Sequence, residues 1–195
     1  GEITLALVPN QDHAVFDLTY RGITSTRNTG YNGPVVIFSK GTTGIGATKR
    51  LWLNAAGLAS HPARARATTH SNILDIQPQR GGRMVERIAW RKASEQKCLA
   101  ESIASQHAAT RAERQMDSRA GVVLDDVNSN FEDKFREPAA ERNLFPSELQ
   151  FRTDEDALHV GDPFGRQARL LLGKHQQFDP VEAHGAGQRV DAGVL

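Results

Sequence analysis

Cysteine is almost absent: Cys98 is the single residue of its kind among 195. A lone cysteine forms no internal disulfide and cannot build a cysteine-rich zinc site. With no fixed activating partner in Lys97-Cys98-Leu99-Ala100, it reads as a buried packing residue and not as a reactive thiol. Aromatic residues make up only 6% of the chain and apolar residues 38%, which suits a thin, elongated core better than a compact one filled with large rings. No apolar run approaches the roughly 20 residues that cross a bilayer as a helix, so the chain is not expected to span a membrane. Charge of one sign is not in excess either. Twenty-four Lys and Arg against 23 Asp and Glu leave +1, so an anionic partner would need a local patch. The chain opens on Gly1 and not methionine, which suggests a trimmed N-terminus, and the lack of a signal peptide then carries no information.

Signatures of catalysis and cofactor binding are lacking as well. In Gly41-Thr42-Thr43-Gly44-Ile45-Gly46-Ala47-Thr48 the outline of a phosphate loop is present, but Ala47 stands where the phosphate-binding lysine belongs. For a dinucleotide loop the glycine spacing is wrong, and residues 49–53 continue as strand where a helix should begin. The stretch is better read as a strand that glycines allow to bend or bulge. Seven histidines at 13, 61, 70, 107, 159, 175 and 184 show no metal-binding pair spacing, and neither Asp125-Asp126 nor Asp154-Glu155-Asp156 has a calcium-loop pattern. His61 and His70 read as ordinary polar positions unless folding brings them to a carboxylate such as Asp75. Paired acids of the glycosidase kind need not be neighbours in sequence and stay open. No cofactor and no metal are expected, and a non-enzymatic chain is favoured.

What is present is a change of rhythm near residue 80. Residues 3–8 form an apolar opening strand, and Pro9-Asn10-Gln11-Asp12 turns it back. Ala14, Phe16, Leu18 and Tyr20 then alternate with Val15, Asp17, Thr19 and Arg21, a period of two that places one apolar face on a core and predicts a strand to about Arg27. A reversal is predicted across residues 28–34, a long strand over 35–53, a turn at 54–57 and a fourth strand over 58–76, whose start Pro62 places at an edge or bulge. From Val85 onward Ile88, Lys92, Gln96, Leu99, Ile103 and His107 recur at steps of three and four, followed by Val123, Val127, Phe131 and Phe135. That predicts a helix over about 83–137, with a kink at Gly121 and an end at Pro138. Residues 149–153 and 157–160 flank an acidic turn as a short hairpin, residues 168–172 offer a last strand, and 161–195 reads as an extended or irregular tail.

The expected fold is therefore α+β: one domain over 1–160, a long curved antiparallel meander (1–78) packed around one long helix, with a C-terminal hairpin. The groove between sheet and helix would be lined by Ala63, Ala65, Ala67 and the helix stripe. The strongest charge feature is the row Arg83, Arg87 and Arg91 on one helix face, with Arg80 and Lys92 beside it. Cations there oppose the helix dipole, and Glu86 and Glu95 offer partial neutralisation. If Arg64 and Arg66 lie near, the five arginines would form a patch for phosphate, anionic lipid headgroups or acidic glycan. Nucleic acid is not expected, since aromatics do not interleave with the basic residues.

Gly30-Tyr31-Asn32-Gly33-Pro34-Val35 and Met84-Val85-Glu86-Arg87-Ile88-Ala89-Trp90-Arg91-Lys92-Ala93, with Asn143-Leu144-Phe145-Pro146, resemble an uncharacterised family of exported bacterial proteins that carry a long meander followed by a long helix. The resemblance covers roughly 10–160 and implies an extracytoplasmic location, periplasmic or secreted. It implies no activity and no functional residue. In shape alone the order of elements is also similar to tubular lipid-binding domains. Three functions follow as expectations: a lipid-like or envelope ligand held between sheet and helix; a structural or protein-interaction module with a self-filled core and strand edges that pair with another chain; and, least favoured, an enzyme acting on an envelope polymer.

Overall fold

The computed structural model describes residues 1–141, 149–161, 167–171 and 176–178. Strands β1 (Glu2–Val8), β2 (Ala14–Asn32), β3 (Val35–Asn54), β4 (Gly57–Ser60) and β5 (Arg64–Pro78) form an antiparallel meander, and β9 (Gln176–Phe178) adds to its β1 edge. A second antiparallel sheet joins β6 (Gln150–Thr153), β7 (Ala157–Gly161) and β8 (Gln167–Leu171). In the chain, α1 (Gly82–Phe131) follows β5, succeeded by a π-helical turn, Glu132–Arg136, and the short α2 (Glu137–Glu141) before β6. The predicted α+β architecture, with its meander, long helix and C-terminal hairpin, is the one observed. The Asn143-Leu144-Phe145-Pro146 motif and most of the 161–195 segment lie outside the described residues.

The long strands follow the period-two pattern further than composition alone indicated. β2 runs to Asn32, so Asn28, Thr29, Gly30 and Tyr31 stay in the ladder and the reversal is confined to Gly33 (φ +57°) and Pro34. β3 keeps one register with β2 from Asn32↔Val35 to Ala14↔Leu53, straight through Gly41, Gly44 and Gly46. The irregularity expected at those glycines falls instead between Phe38 and Ser39, where Leu74 of β5 is skipped. The fourth predicted strand is split at His61-Pro62-Ala63 into β4 and β5, as proline without an N–H requires. His61 N–H still donates to the Arg50 carbonyl (3.0 Å), and its ring rests against Trp52 with centroids 4.5 Å apart.

The main core cluster sits at one end of the sheet, while Val35, Val36 and Ile76 are buried near the β2–β3 turn at the other. Ala14, Phe16 and Phe151 are buried, with Leu5, Leu7, Leu51, Leu53, Leu149, Leu158 and Val160 packed around them. Even residues of β2 and odd residues of β1 and β3 supply this inner face, and the small sheet covers it. Thr153, 1% exposed, anchors the junction: its Oγ1 accepts from Val15 N–H (3.2 Å) and donates to the Val8 carbonyl (2.5 Å). Asn10 and Thr153 also exchange two backbone hydrogen bonds of 2.9 Å.

α1 departs from expectation in three ways. It passes Gly121 without interruption. Pro138 does not end the helical run but lies within α2, after the π-turn in which Glu137 N–H reaches back to the Glu132 carbonyl. The wider turn relieves the clash between a proline ring and the carbonyl four residues earlier. Third, the apolar stripe read as core-facing points mostly to water: Ile88, Leu99, Ile103, Val123 and Val127 are all exposed, and so is Cys98. No residue of α1 is buried. The sheet-facing side is small and polar, and the reason lies in what that side must satisfy.

Candidate functional site: the edges and outer face of the sheet

Gly81 (φ +93°) and Gly82 (φ +60°) reverse the chain so that α1 runs back antiparallel along β5. Every fourth helix residue then meets every second strand residue. Glu101 Oε1 accepts from Ser71 N–H (2.6 Å) and Ser71 Oγ (2.9 Å), Ser105 Oγ from Thr69 N–H (2.9 Å), Glu113 Oε1 from Ala65 N–H (2.9 Å), and Asp117 Oδ1 from Ala63 N–H (2.8 Å). Four helix residues rise about 6.0 Å and two strand residues about 6.7 Å, so the rows drift by under 1 Å per step. Side chains of different reach absorb the drift. The one gap is Ala109 opposite Ala67, where neither side chain can accept. Beyond the Pro62 break, Asn128 behaves like a peptide group of a neighbouring strand: its Oδ1 accepts from Leu58 N–H (2.8 Å) and its Nδ2 donates to the Leu58 carbonyl (2.9 Å). Gly57 is required beside it, since a Cβ there would stand 2.7 Å from Asn128 Oδ1.

The break at 61–63 is closed by an ion pair. Lys49 Nζ donates to Asp117 Oδ1 (2.6 Å) and to the His61 carbonyl (2.9 Å), and the lysine side chain is 5% exposed. Burial on its own raises the Asp117 pKa, but the hydrogen bonds from Lys49 and Ala63 N–H and the lysine charge outweigh it, leaving a net lowering. Glu101 is also lowered, by the Ser71 N–H and hydroxyl, with Lys97 and His70 contributing charge. Along this seam the helix side chains bonded to strand N–H groups are Ser105 and the carboxylates of Glu101, Glu113 and Asp117.

The opposite edge is uncovered by the described residues. Outward N–H groups on odd residues of β5 mean that its even residues bond β3; through the registers, odd residues of β3 bond β2, and odd residues of β2 point away. Val15 N–H, turned to Thr153 Oγ1, obeys that parity. β1 covers β2 only from Val15 to Arg21. From residue 22 to 32 every side chain but Gly22 is exposed, and the N–H and C=O groups of Ile23, Ser25, Arg27, Thr29 and Tyr31 have no partner among the described residues.

The arginines predicted as one patch divide. Arg64 and Arg66 project from the outer face of β5, away from the helix, at the level of residues 113–117 of α1. Arg91 lies 22 residues before Glu113 on a continuous helix, about 33 Å away along its axis, with Arg87 and Arg83 further still. All three are exposed, and Arg91 approaches Glu95 at 3.9 Å. The structure does not bring the two groups together. Arg64 and Arg66 instead share the outer face with Arg21, Arg27 and Lys40, a juxtaposition that needed the strand register to be seen.

Among the described residues no group of three or more His, Cys, Asp or Glu is placed to hold a metal, and no helix is long and apolar enough to cross a membrane. His159 Nε2 of β7 and Asp154 Oδ2 of the β6–β7 turn lie 2.7 Å apart, and the histidine hydrogen bond, then the Asp156 and Ala157 N–H groups, lower Asp154 to about 2. Asp75 bonds Ile76 N–H and Gln77 Nε2. No protein-family model matches the chain, and searches of curated proteins and of solved structures found no similar protein.

Proposed function

We propose that this chain is a non-enzymatic interaction module that takes up an extended strand from another polypeptide along the free edge of β2. One observation carries the reading: of two long sheet edges, one has its outward N–H groups met by helix side chains, and the other presents five successive outward peptide units with no partner among the described residues. Natural sheets guard an exposed edge with lysine, proline, a bulge or a covering element. Residues 22–32 contain no lysine and no proline, a single charge at Arg27, and an unbroken register with β3. An antiparallel strand of matching length would form about ten backbone hydrogen bonds there. The shared function of the long β2–β3 hairpin is then to hold this edge rigid.

Parity gives the test. Ser25→Pro deletes an outward N–H and leaves the β3 ladder intact, whereas Thr26→Pro deletes an N–H that bonds β3. In sedimentation velocity over a wide concentration range, with strand-forming peptides as probes if the chain alone stays monomeric, wild type should capture a strand and Ser25→Pro should not, while keeping its thermal midpoint within a few degrees. Thr26→Pro should cost about 3 kcal/mol or more of stability. Strand capture unaffected by Ser25→Pro, or no capture by wild type at all, would reject the reading.

A further inference from the structure

The outer face of the β2–β3–β5 blade is a second surface, independent of the β2 edge. Odd residues of β2 and even residues of β3 and β5 alternate onto it, and the registers set them in rows: Arg21, Gly46 and Arg66; Ile23, Gly44 and Thr68; Ser25, Thr42 and His70; Arg27, Lys40 and Asn72. Arg64 follows Arg66 along β5, opposite Thr48. Arg21, Arg27, Lys40, Arg64 and Arg66 are all exposed, and none has an ion-pair partner among the described residues. The other cation of this face, Arg50, is spoken for by Asp17 through two hydrogen bonds of 2.7 Å. Two acids stand nearby, Glu2 opposite Arg21 and Asp75 opposite Phe38. On a chain of net charge +1 this is a strong local excess.

The floor between the cations is bare. Gly44 and Gly46 succeed each other on the outer face of the central strand, a Cβ on either would meet nothing within 4 Å, and neither has a positive φ. Neither backbone conformation nor crowding asks for glycine there, although glycine weakens a strand by roughly 0.5–1 kcal/mol. What their absence of side chains leaves is a shallow trough with Arg21 on one bank and Arg66 and Arg64 on the other, the flanking Cα atoms about 10 Å apart. Beside it Glu2, Thr4, Thr19 and Arg21 line a depression of about 350 Å³ that opens on the same face. Two large apolar side chains also stand out from this face, Ile23 at 78% and Tyr31 at 77% exposure.

Unpaired cations spread over about 20 Å of strand, a floor open to a headgroup, an aliphatic side chain among them and a tyrosine ring beyond Arg27 on the same face fit one kind of partner. We infer that the outer face of the β2–β3–β5 blade docks on an anionic phospholipid surface, with Arg21, Arg27, Lys40, Arg64 and Arg66 facing lipid phosphates and Ile23 and Tyr31 entering the headgroup layer. Charge complementarity and the exposed apolar pair select this partner; a soluble polyanion would use the cations alone.

The experiment is cosedimentation with vesicles of phosphatidylcholine with and without phosphatidylglycerol, alongside binding to soluble polyphosphate. Wild type should prefer the anionic vesicles and release them at high salt. Arg21→Gln with Arg66→Gln should bind these vesicles roughly 30-fold more weakly, about fivefold per cation. Arg83→Gln with Arg87→Gln, equal in charge but on the helix, should change binding by less than about twofold. Ile23→Ser with Tyr31→Ser should weaken vesicle binding and leave polyphosphate binding unchanged. All these side chains are exposed, so folding is not at stake. Equal binding to neutral and anionic vesicles would overturn the inference. So would an effect of the helix pair as large as that of the sheet pair, or an Ile23 and Tyr31 variant that binds both ligands like wild type, which would mark a polyanion site.

Discussion

Along β5 and at Ala63 just before it, four outward N–H groups are met by Glu101, Ser105, Glu113 and Asp117, whereas along the distal half of β2 five outward peptide units have no partner among the described residues. Both edges belong to the same meander and bond the same central strand, so the difference is not one of strand quality. It arises from a helix whose polar residues recur at four-residue steps in register with a strand read at two. A helix of this kind supplies acceptors without donating a sheet edge of its own, and so ends the sheet on that side. It also explains why α1 stands without a capping side chain and without an acid in its first turn: the seam with β5, and not the helix by itself, holds it in place. The bare edge has no such device, and the contrast turns an ordinary loose end into a candidate site.

The largest effect on the guarded side should come from the Lys49–Asp117 pair. Asp117→Ala leaves the Ala63 N–H unmet and a nearly buried ammonium without its counter-charge. Because the Asp117 side chain is itself 39% exposed, the cost should be about 2–4 kcal/mol, less than for a fully buried pair. Lys49→Met should do similar damage alone, and combining it with Asp117→Leu should restore much of the loss, since no unpaired charge remains. Urea denaturation of the single and double variants measures this. A double variant no better than the singles would show that hydrogen bonding to Ala63, and not charge pairing, dominates the node.

Acid separates the two edges. Glu101 and Asp117 have lowered pKa values in the folded chain, and Asp154 is held at about 2. A carboxylate depressed on folding contributes stability that is complete above its unfolded value, near 4, and that is lost as pH falls through its folded value. Stability should therefore hold down to about pH 5 and decline below 4, with the Asp154 contribution the last to go near pH 2. Amide hydrogen exchange locates the loss. At neutral pH the amides of Ser71, Thr69, Ala65 and Ala63 should be protected, and those of Ser25, Arg27 and Thr29 should exchange at nearly open-chain rates. At low pH, with intrinsic rates taken into account, protection should fall at Ser71 and Ala63 and stay negligible along β2. Protection of Ser25, Arg27 and Thr29 at neutral pH would mean that the β2 edge is already covered.

Much of this architecture is legible in the residues. The alternation of Ala14, Phe16, Leu18 and Tyr20, the change of rhythm near residue 80 and the three-and-four spacing after Val85 place strands, boundary and helix correctly. The orientation of the helix is not legible by hydrophobic period, because the usual inference assumes that the sheet-facing side is apolar. Here that side must accept hydrogen bonds, so Glu101, Ser105, Glu113 and Asp117 resemble a solvated face while Leu99 and Ile103 resemble a core. A usable signal existed in acceptors at i, i+4, i+12 and i+16, set against a strand of small residues at 63, 65 and 67. Likewise Arg64 and Arg66 look closest in kind to Arg83, Arg87 and Arg91, yet only the register with β3 shows that their neighbours are Arg21, Arg27 and Lys40.

The gap in the guarded row is the finest probe of the comparison. Ala109 falls four residues after Ser105 and four before Glu113, facing Ala67, whose N–H should point outward like those of Ala65 and Thr69. Ala109→Ser places at this step the acceptor that Ser105 already provides to Thr69 at 2.9 Å. Serine costs about 0.5 kcal/mol of helix propensity against alanine, and a new hydrogen bond contributes about 0.5–1.5 kcal/mol. The net gain should be small, up to about 1 kcal/mol, and visible as added exchange protection at Ala67 alone. Ala108→Ser changes the propensity in the same way but stands one residue, about 100°, around the helix, and should bring only the cost. If both variants lose stability equally and Ala67 exchanges as before, the four-to-two register stops short of residue 109, and the acceptors on either side act as two separate clamps instead of one continuous seam.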